Sequence, residues 1–282
     1  MQIRKLQLVQ LLILKDIDLI CKKYNLKYYL IGGTLLGAIR HKGFIPWDDD
    51  IDIVMYRGDM EKLIKIIHEE YFEKYFVQNF KTDPYYTRYI TKIRLNNTLQ
   101  IEEALGNAKS HQGIYIDIFP LDFVKKNKGF SMKIRGVILR LLFAIKSLKN
   151  NIFYTKNKIK ILLGKILRIF TFLIQNGLIN YLFDYVCSKD NNKQCNFTSN
   201  FSSHFKWEKQ TYENDVYGEG VQVEFENNYF IAPTQYDVIL KRIYGDDYME
   251  LPPKSKRITH QLIEIDFGPY INCVENEVRN YE

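Results

Sequence analysis

The stretch Trp47-Asp48-Asp49-Asp50-Ile51-Asp52-Ile53 constrains this chain more than any other. It sets four carboxylates within five residues and then passes into acid–apolar alternation. Side chains alternate across a strand, so a strand over Asp50–Met55 puts Asp50 and Asp52 on one face while Ile51 and Ile53 enter a core. Neighbouring carboxylates repel, and a fold that keeps them together needs a cation between them. Mg²⁺ is the natural occupant, with Mn²⁺ as its alternative, because hard cations take oxygen ligands and are commonly shared with substrate phosphates. A solvated acidic turn would account for Asp48 and Asp49, but not for an alternation that enters a strand.

The flanking sequence adds parts to this feature. Upstream, Gly32-Gly33 separates a short strand, Lys27–Ile31, from a helix predicted to reach His41 with Thr34 as its cap. Glycines at such a junction admit a ligand close to the backbone, and the free N–H groups of a helix start attract phosphate. Downstream, in Tyr115–Phe119, Asp117 is a lone acid inside an apolar strand. A buried, unpaired carboxylate is costly, so a partner is expected. Beside Asp50–Ile53 it would complete a triad able to hold two metals for in-line phosphoryl displacement. Asp122, beyond Pro120, reads as a helix cap or a loop residue. Arg40, His41 and Lys42, with Lys92 and Arg94 on a neighbouring strand, are candidates for holding phosphate oxygens; each has an ordinary surface cation as its alternative.

Elsewhere the pattern is α+β. Helical spacing predicts helices over 5–24, 59–72 and 233–244, the last with Thr234 as cap. Strands are predicted at 76–80, 89–95 and 113–119, a hairpin at 221–231, and an irregular polar stretch at 194–217. An apolar share of 46% in 282 residues supports one elaborated domain or two fused ones and excludes wholesale disorder. Four cysteines are too few for a disulfide scaffold. Cys187 and Cys195, near His204, are the cluster to test for zinc, and reduced thiols are the simpler reading. There is neither a signal peptide nor a run of eighteen uncharged apolar residues, so the protein is expected to stay on the cytoplasmic side.

Charge is unevenly spread. The chain carries net charge +7, yet between Asp122 and Asp184 there are thirteen Lys and Arg and no acid. The other 27 basic residues face all 33 acidic ones, so the remainder is net −6. Within the basic segment Ile134, Val137, Ile138, Leu141, Leu142 and Ile145 share a helical face, with Lys133, Arg140 and Lys146 off it; 159–174 repeats the pattern. Such a helix pair suits an anionic membrane surface, on the inner face of the cytoplasmic membrane. The alternative is packing on the core with the charged face solvated. No base-reading motif accompanies the segment, so nucleic acid is not expected as a partner.

Taken together, GGTLLGAIRHKGFIPWDDDIDI, GIYIDIFPLD and the stretch from Ile231-Ala-Pro through Tyr244-Gly-Asp to His260 resemble the LicD family of the nucleotidyltransferase fold superfamily. That family contains bacterial phosphocholine transferases and is related to the fukutin-type proteins, which transfer ribitol phosphate. The resemblance implies a nucleotidyltransferase-like mixed sheet flanked by helices, with a basic helical insertion. Core residues would be 1–124, the insertion 125–190, and 191–282 would complete the active site. It implies a CDP-activated alcohol as donor, CDP-choline first, and as acceptor a sugar hydroxyl of a glycan or its lipid-linked precursor. Glycerol or ribitol phosphate transfer and nucleotidyl transfer are the alternatives, and a non-catalytic membrane-binding protein ranks last. By position, Asp50 and Asp52 match the metal-binding pair, Asp117 the third acid and proton acceptor, and Gly32, Gly33 and Thr34 the phosphate-side turn. His260 matches the closing motif and would assist the leaving phosphate. The cysteine-rich zinc element of fukutin-related members is missing, so no zinc is carried over. Trp47, Trp207, Tyr28, Tyr85 and Tyr86 are aromatic faces available to a quaternary ammonium.

Overall fold

The computed structural model describes residues 2–83, 86–102, 110–125, 129–149, 171, 174–257, 262–272 and 275. His260, Tyr85, Cys273 and most of the second predicted basic helix lie outside them. The chain divides into two compact units, Met1–Leu121 with Asn214–Glu282, and Asp122–Glu213.

The first unit is built on a sheet in the order β1-β2-β6-β4-β3. Its strands are β1 (Tyr28–Leu30), β2 (Asp52–Tyr56), β3 (Tyr75–Gln78), β4 (Thr91–Leu95) and β6 (Tyr115–Val124). β2 and β6 run parallel, and the other neighbours are antiparallel. The register sorts the side chains by face. Ile53 lies opposite Ile118, and Ile116 opposite Ile93, which faces Val77; all are buried. The other face carries one continuous row in which Asp52 faces Asp117, Asp117 faces Lys92, and Lys92 faces Gln78. α3 (Arg57–Glu70) packs on β2 and β3 and buries Met60, Leu63 and Ile67. α1 (Gln2–Tyr24) buries Leu6, Val9, Ile13 and Ile17 at helical spacing.

Several local expectations are corrected here. β2 starts at Asp52, leaving Asp50 in the preceding loop. α2 (Gly32–His41) starts at Gly32, so Thr34 lies inside the helix; its Oγ1 accepts the Asp52 N–H at 2.8 Å. Thr234 does not cap the last helix, α6 (Tyr236–Tyr244), but accepts the Gly220 N–H and donates to the Tyr217 carbonyl. β5 (Leu99–Glu102) pairs with β11 (Leu262–Asp266), and neither strand is foreseen in the sequence. The reason is an inverted pattern, since β5 buries Gln100 and Glu102 and leaves Leu99 and Ile101 half-buried. β9 (Val221–Phe225) and β10 (Asn228–Ala232) form the expected hairpin on a two-residue turn, with Glu226 and Asn227 both at positive φ. Glu226 fastens it, accepting from Arg4 at 2.6 Å and from the Phe44 N–H at 3.0 Å.

In the second unit the end of β6 pairs with β7 (Phe197–Ser199), and β7 pairs with β8 (Thr211–Glu213). Asp122 is therefore a strand residue, fully buried and accepting from Asn191 Nδ2 at 2.7 Å. The stretch predicted as irregular contains both β7 and β8. Val124, Met132 and Trp207 form a core flanked by Phe197 and Phe201, so Trp207 is a packing residue. α4 (Phe130–Lys149) packs against α5 (Asn176–Ser188). The apolar face read for α4 does not pack on the core as the alternative reading had it: Ile134, Val137, Ile138 and Leu141 are exposed, while Leu142, Arg135 and Lys146 are buried. Arg135 is accommodated by an ion pair to Asp190 at 3.0 Å and by the Phe201 ring, 4.4 Å from its guanidinium carbon. Among the described residues no helix is long and apolar enough to cross a membrane.

Candidate active site

Two groups of acids adjoin. Asp48, Asp49 and Asp50 place carboxylate oxygens within 4.8 Å of one another in the loop before β2, with Asp49 buried. Asp52 and Asp117 then face each other across β2 and β6. The Gly-Gly turn makes room for this gathering. Gly32 adopts φ +59°, and a Cβ there would meet Asp52 Oδ2 at 2.8 Å; a Cβ on Gly33 would overlap Asp48 Oδ2. The start of α2 thus lies close against two of the protein's own carboxylates. Burial, and then the Asp50, Asp117 and Asp48 charges, hold the Asp52 carboxyl well above the usual carboxylate range, against a smaller pull from Lys92. This donor set of close, hard, mutually repelling oxygens fits a divalent cation.

α1 steadies the loop from behind. Gln7 Nε2 donates to the Asp48 carbonyl at 2.8 Å, and Gln10 Nε2 donates to the Asp49 carbonyl at 2.8 Å. Both side chains are buried, one helical turn apart in an otherwise apolar face.

A compensating set of cations lies along the same row. Lys92 Nζ donates to Asp117 Oδ1 at 2.7 Å, both nearly inaccessible, so Asp117 has the partner its burial demands. Burial pushes the Lys92 ammonium down to about 8, opposed chiefly by Asp117. Lys92 Nζ also sits 3.2 Å from the Tyr115 ring centroid, with the Arg94 guanidinium carbon 4.8 Å from that ring. Tyr115 donates to Glu102 at 2.5 Å. Arg94 is spent on structure, donating to Gln78 Oε1 and to the Gly113 carbonyl. Arg40 likewise donates to the Tyr248 and Glu250 carbonyls, each at 2.9 Å, and so anchors the segment after α6.

Arg88 escapes the sequence reading. Burial works against its charge, but Asp117, the Tyr86 and Tyr115 hydroxyls and Glu102 hold it protonated above the ordinary arginine range. It is half-buried and, among the described residues, makes no hydrogen bond or ion pair. Among the described residues the buried Tyr86 hydroxyl near it has no hydrogen-bond partner, and neither does the buried Gln100 amide. The available signal was its place in Arg88-x-x-x-Lys92-x-Arg94, a third cation leading into the same strand. At the other side, Tyr244 brings its phenol near the acids, and burial followed by Asp52, Asp48 and Asp50 pushes that phenol up. Trp47 is covered by Arg257, whose guanidinium carbon lies 4.3 Å from its ring, and Tyr28 is tied to Asp18 at 2.8 Å. Of the aromatics named for an ammonium, Tyr28 and Trp207 are thereby committed elsewhere. Cys21, Cys187 and Cys195 are free thiols.

Residues 25–136 match the LicD/FKTN/FKRP nucleotidyltransferase domain family. The chain is 30% identical over 266 residues, 93% of its length and 97% of the relative's, to the lipopolysaccharide cholinephosphotransferase LicD of Haemophilus influenzae. The chain belongs to the LicD family. A shorter match, 51% identical over 36 residues, links it to the ribitol 5-phosphate transferase FKRP of human and mouse, covering 13% of this chain and 7% of that protein. An uncharacterized protein of Rickettsia prowazekii is 45% identical over 64 residues, 23% of each chain. The LicD match to residues 25–136 takes in the Gly-Gly turn, the acidic loop, Arg88, Lys92 and Asp117.

Proposed function

We propose that this LicD-family chain is a metal-dependent transferase that moves phosphocholine, or a related phospho-alcohol, from a CDP-activated donor to a sugar hydroxyl of a cell-surface glycan or its lipid-linked precursor. The observation that carries this reading is the row Asp52–Asp117–Lys92 beside the Asp48–Asp50 cluster. The near full-length likeness to a cholinephosphotransferase supports choline as the alcohol.

Asp50 and Asp52, with Asp48 and Asp49 close by, would hold Mg²⁺. When bound, the ion neutralises diphosphate oxygens and stabilises the departing CMP. Asp117 accepts the proton of the attacking hydroxyl as the new P–O bond forms and the bond to CMP breaks. Lys92 orients the Asp117 carboxylate through the 2.7 Å contact. Arg88, aided by the Tyr86 hydroxyl, grips oxygens of the transferred phosphate. This role passes to it from Arg94 and Arg40, whose guanidiniums hold backbone carbonyls. His260 remains the proposed assistant to the leaving phosphate.

The test is product analysis. The protein with Mg²⁺ and a soluble glycan acceptor is given CDP-choline, CDP-ribitol, CDP-glycerol or CTP in turn, and the acceptor is weighed by mass spectrometry. A gain of phosphocholine from CDP-choline is expected. A gain of CMP instead would make the enzyme a nucleotidyltransferase, and preference for another CDP-alcohol would overturn the choline assignment.

A further inference from the structure

α4 presents its apolar residues to the outside. Its inward row is Met132, Arg135, Gly136, Leu139, Leu142 and Lys146. Roughly opposite, at the i, i+3, i+4, i+7 spacing of one helical stripe, stand the exposed Ile134, Val137, Ile138 and Leu141, the last 57% exposed. Phe130, 80% exposed, begins the stripe one turn earlier. α5, packed beside α4, repeats the arrangement. It buries Ile179 and Phe183 and exposes Leu178, Tyr181, Leu182 and Tyr185, with the two tyrosine rings stacked 6.4 Å apart. A single exposed leucine needs no explanation, but two adjacent stripes of large apolar side chains mark an interaction surface.

Charge identifies the partner. Lys133 and Arg140 are exposed and flank the α4 stripe on one edge. Asp184 is the one acid on the two helices, and it lies off the α5 stripe. The surrounding segment holds thirteen cations and no acid between Asp122 and Asp184. A second copy of the chain would bring the same cations against these, whereas a bilayer with anionic headgroups supplies both apolar volume and opposite charge. Tyrosine belongs at the headgroup level, where its ring is buried and its hydroxyl stays wet.

We infer that the outward stripes of α4 and α5 form a docking surface for an anionic lipid bilayer. The helices lie in the interface, with the leucine, isoleucine and valine side chains in the acyl boundary and Lys133 and Arg140 against phosphate headgroups. The buried Arg135 and Lys146 take no part.

The experiment is co-sedimentation of the full chain with vesicles of phosphatidylcholine alone and of equal parts phosphatidylcholine and phosphatidylglycerol, at low and high salt. Binding to the mixed vesicles is expected, falling with salt. The variants V137S/L141S and K133Q/R140Q should each weaken it by about tenfold, because the apolar and ionic contributions are separate. Melting temperature and mass in solution should stay unchanged. Equal binding to neutral and mixed vesicles, or none to either, would overturn the inference. So would a dimeric wild type that V137S/L141S turns into monomer, which would make the face a contact between copies. If V137S/L141S fails to fold, K133Q/R140Q and the salt series decide alone.

Discussion

Asp52 and Asp117 face each other in register, yet replacing each by Asn should act in opposite directions on stability. Asp52 is half-buried among like charges, so Asp52→Asn relieves repulsion and should raise the melting temperature of the metal-free protein. Asp117 neutralises the buried Lys92, so Asp117→Asn strands that ammonium and should cost about 3–5 kcal/mol. Calorimetry on both variants checks the pair. The sign with pH follows. A carboxyl raised on folding binds more protons folded than unfolded between its two pKa values, so stability falls as pH rises through that window. Metal-free wild type should therefore lose melting temperature with rising pH more steeply than Asp52→Asn. Arg88→Met should raise the donor KM by about 10–100-fold, the worth of a charged hydrogen bond, and lower the melting temperature, because the Asp117 and Glu102 charges lose the cation that faces them. The residue types at Asp50, Asp52 and Asp117 were legible because carboxylates alternating with isoleucine have few structural explanations. Arg88 and Gln100 were not, because an isolated polar residue shows its lack of a partner only in the fold.

At the scale of elements, α1 does more than cover the sheet. Gln7 and Gln10 hold two successive carbonyls of the acidic loop, so their packing sets where its carboxylates converge. Gln10→Met keeps side-chain volume but drops the donor. It should weaken Mg²⁺ affinity and turnover by about tenfold, the low end for groups that orient metal ligands. Titration calorimetry of Mg²⁺ on wild type and variant reads this directly; equal affinities would leave Gln10 a packing residue. Helices and strands with one apolar face were legible from period alone, as α1, α3 and β4 show. For α4 the period left two readings open, because both of its faces carry apolar residues and period cannot say which one meets the core. β5 hid for the converse reason, since its buried side chains are Gln100 and Glu102.

At the scale of the whole molecule, the residues proposed for catalysis that the structure describes collect in the first unit, whose two segments are separated in sequence by Asp122–Glu213. Such an interruption leaves no periodic trace, although the acid-free run inside it marks a segment with a different task. The central claim is that the acid row works through a divalent cation. Its most direct test is phosphocholine transfer from CDP-choline to a soluble acceptor by wild type and Asp50→Asn, in Mg²⁺, in excess EDTA, and after Mg²⁺ is restored. Wild type should be active, silent in EDTA and recovered by Mg²⁺, with Asp50→Asn reduced by about 10³-fold or more wherever Mg²⁺ is present. Undiminished wild-type transfer in EDTA would contradict the account.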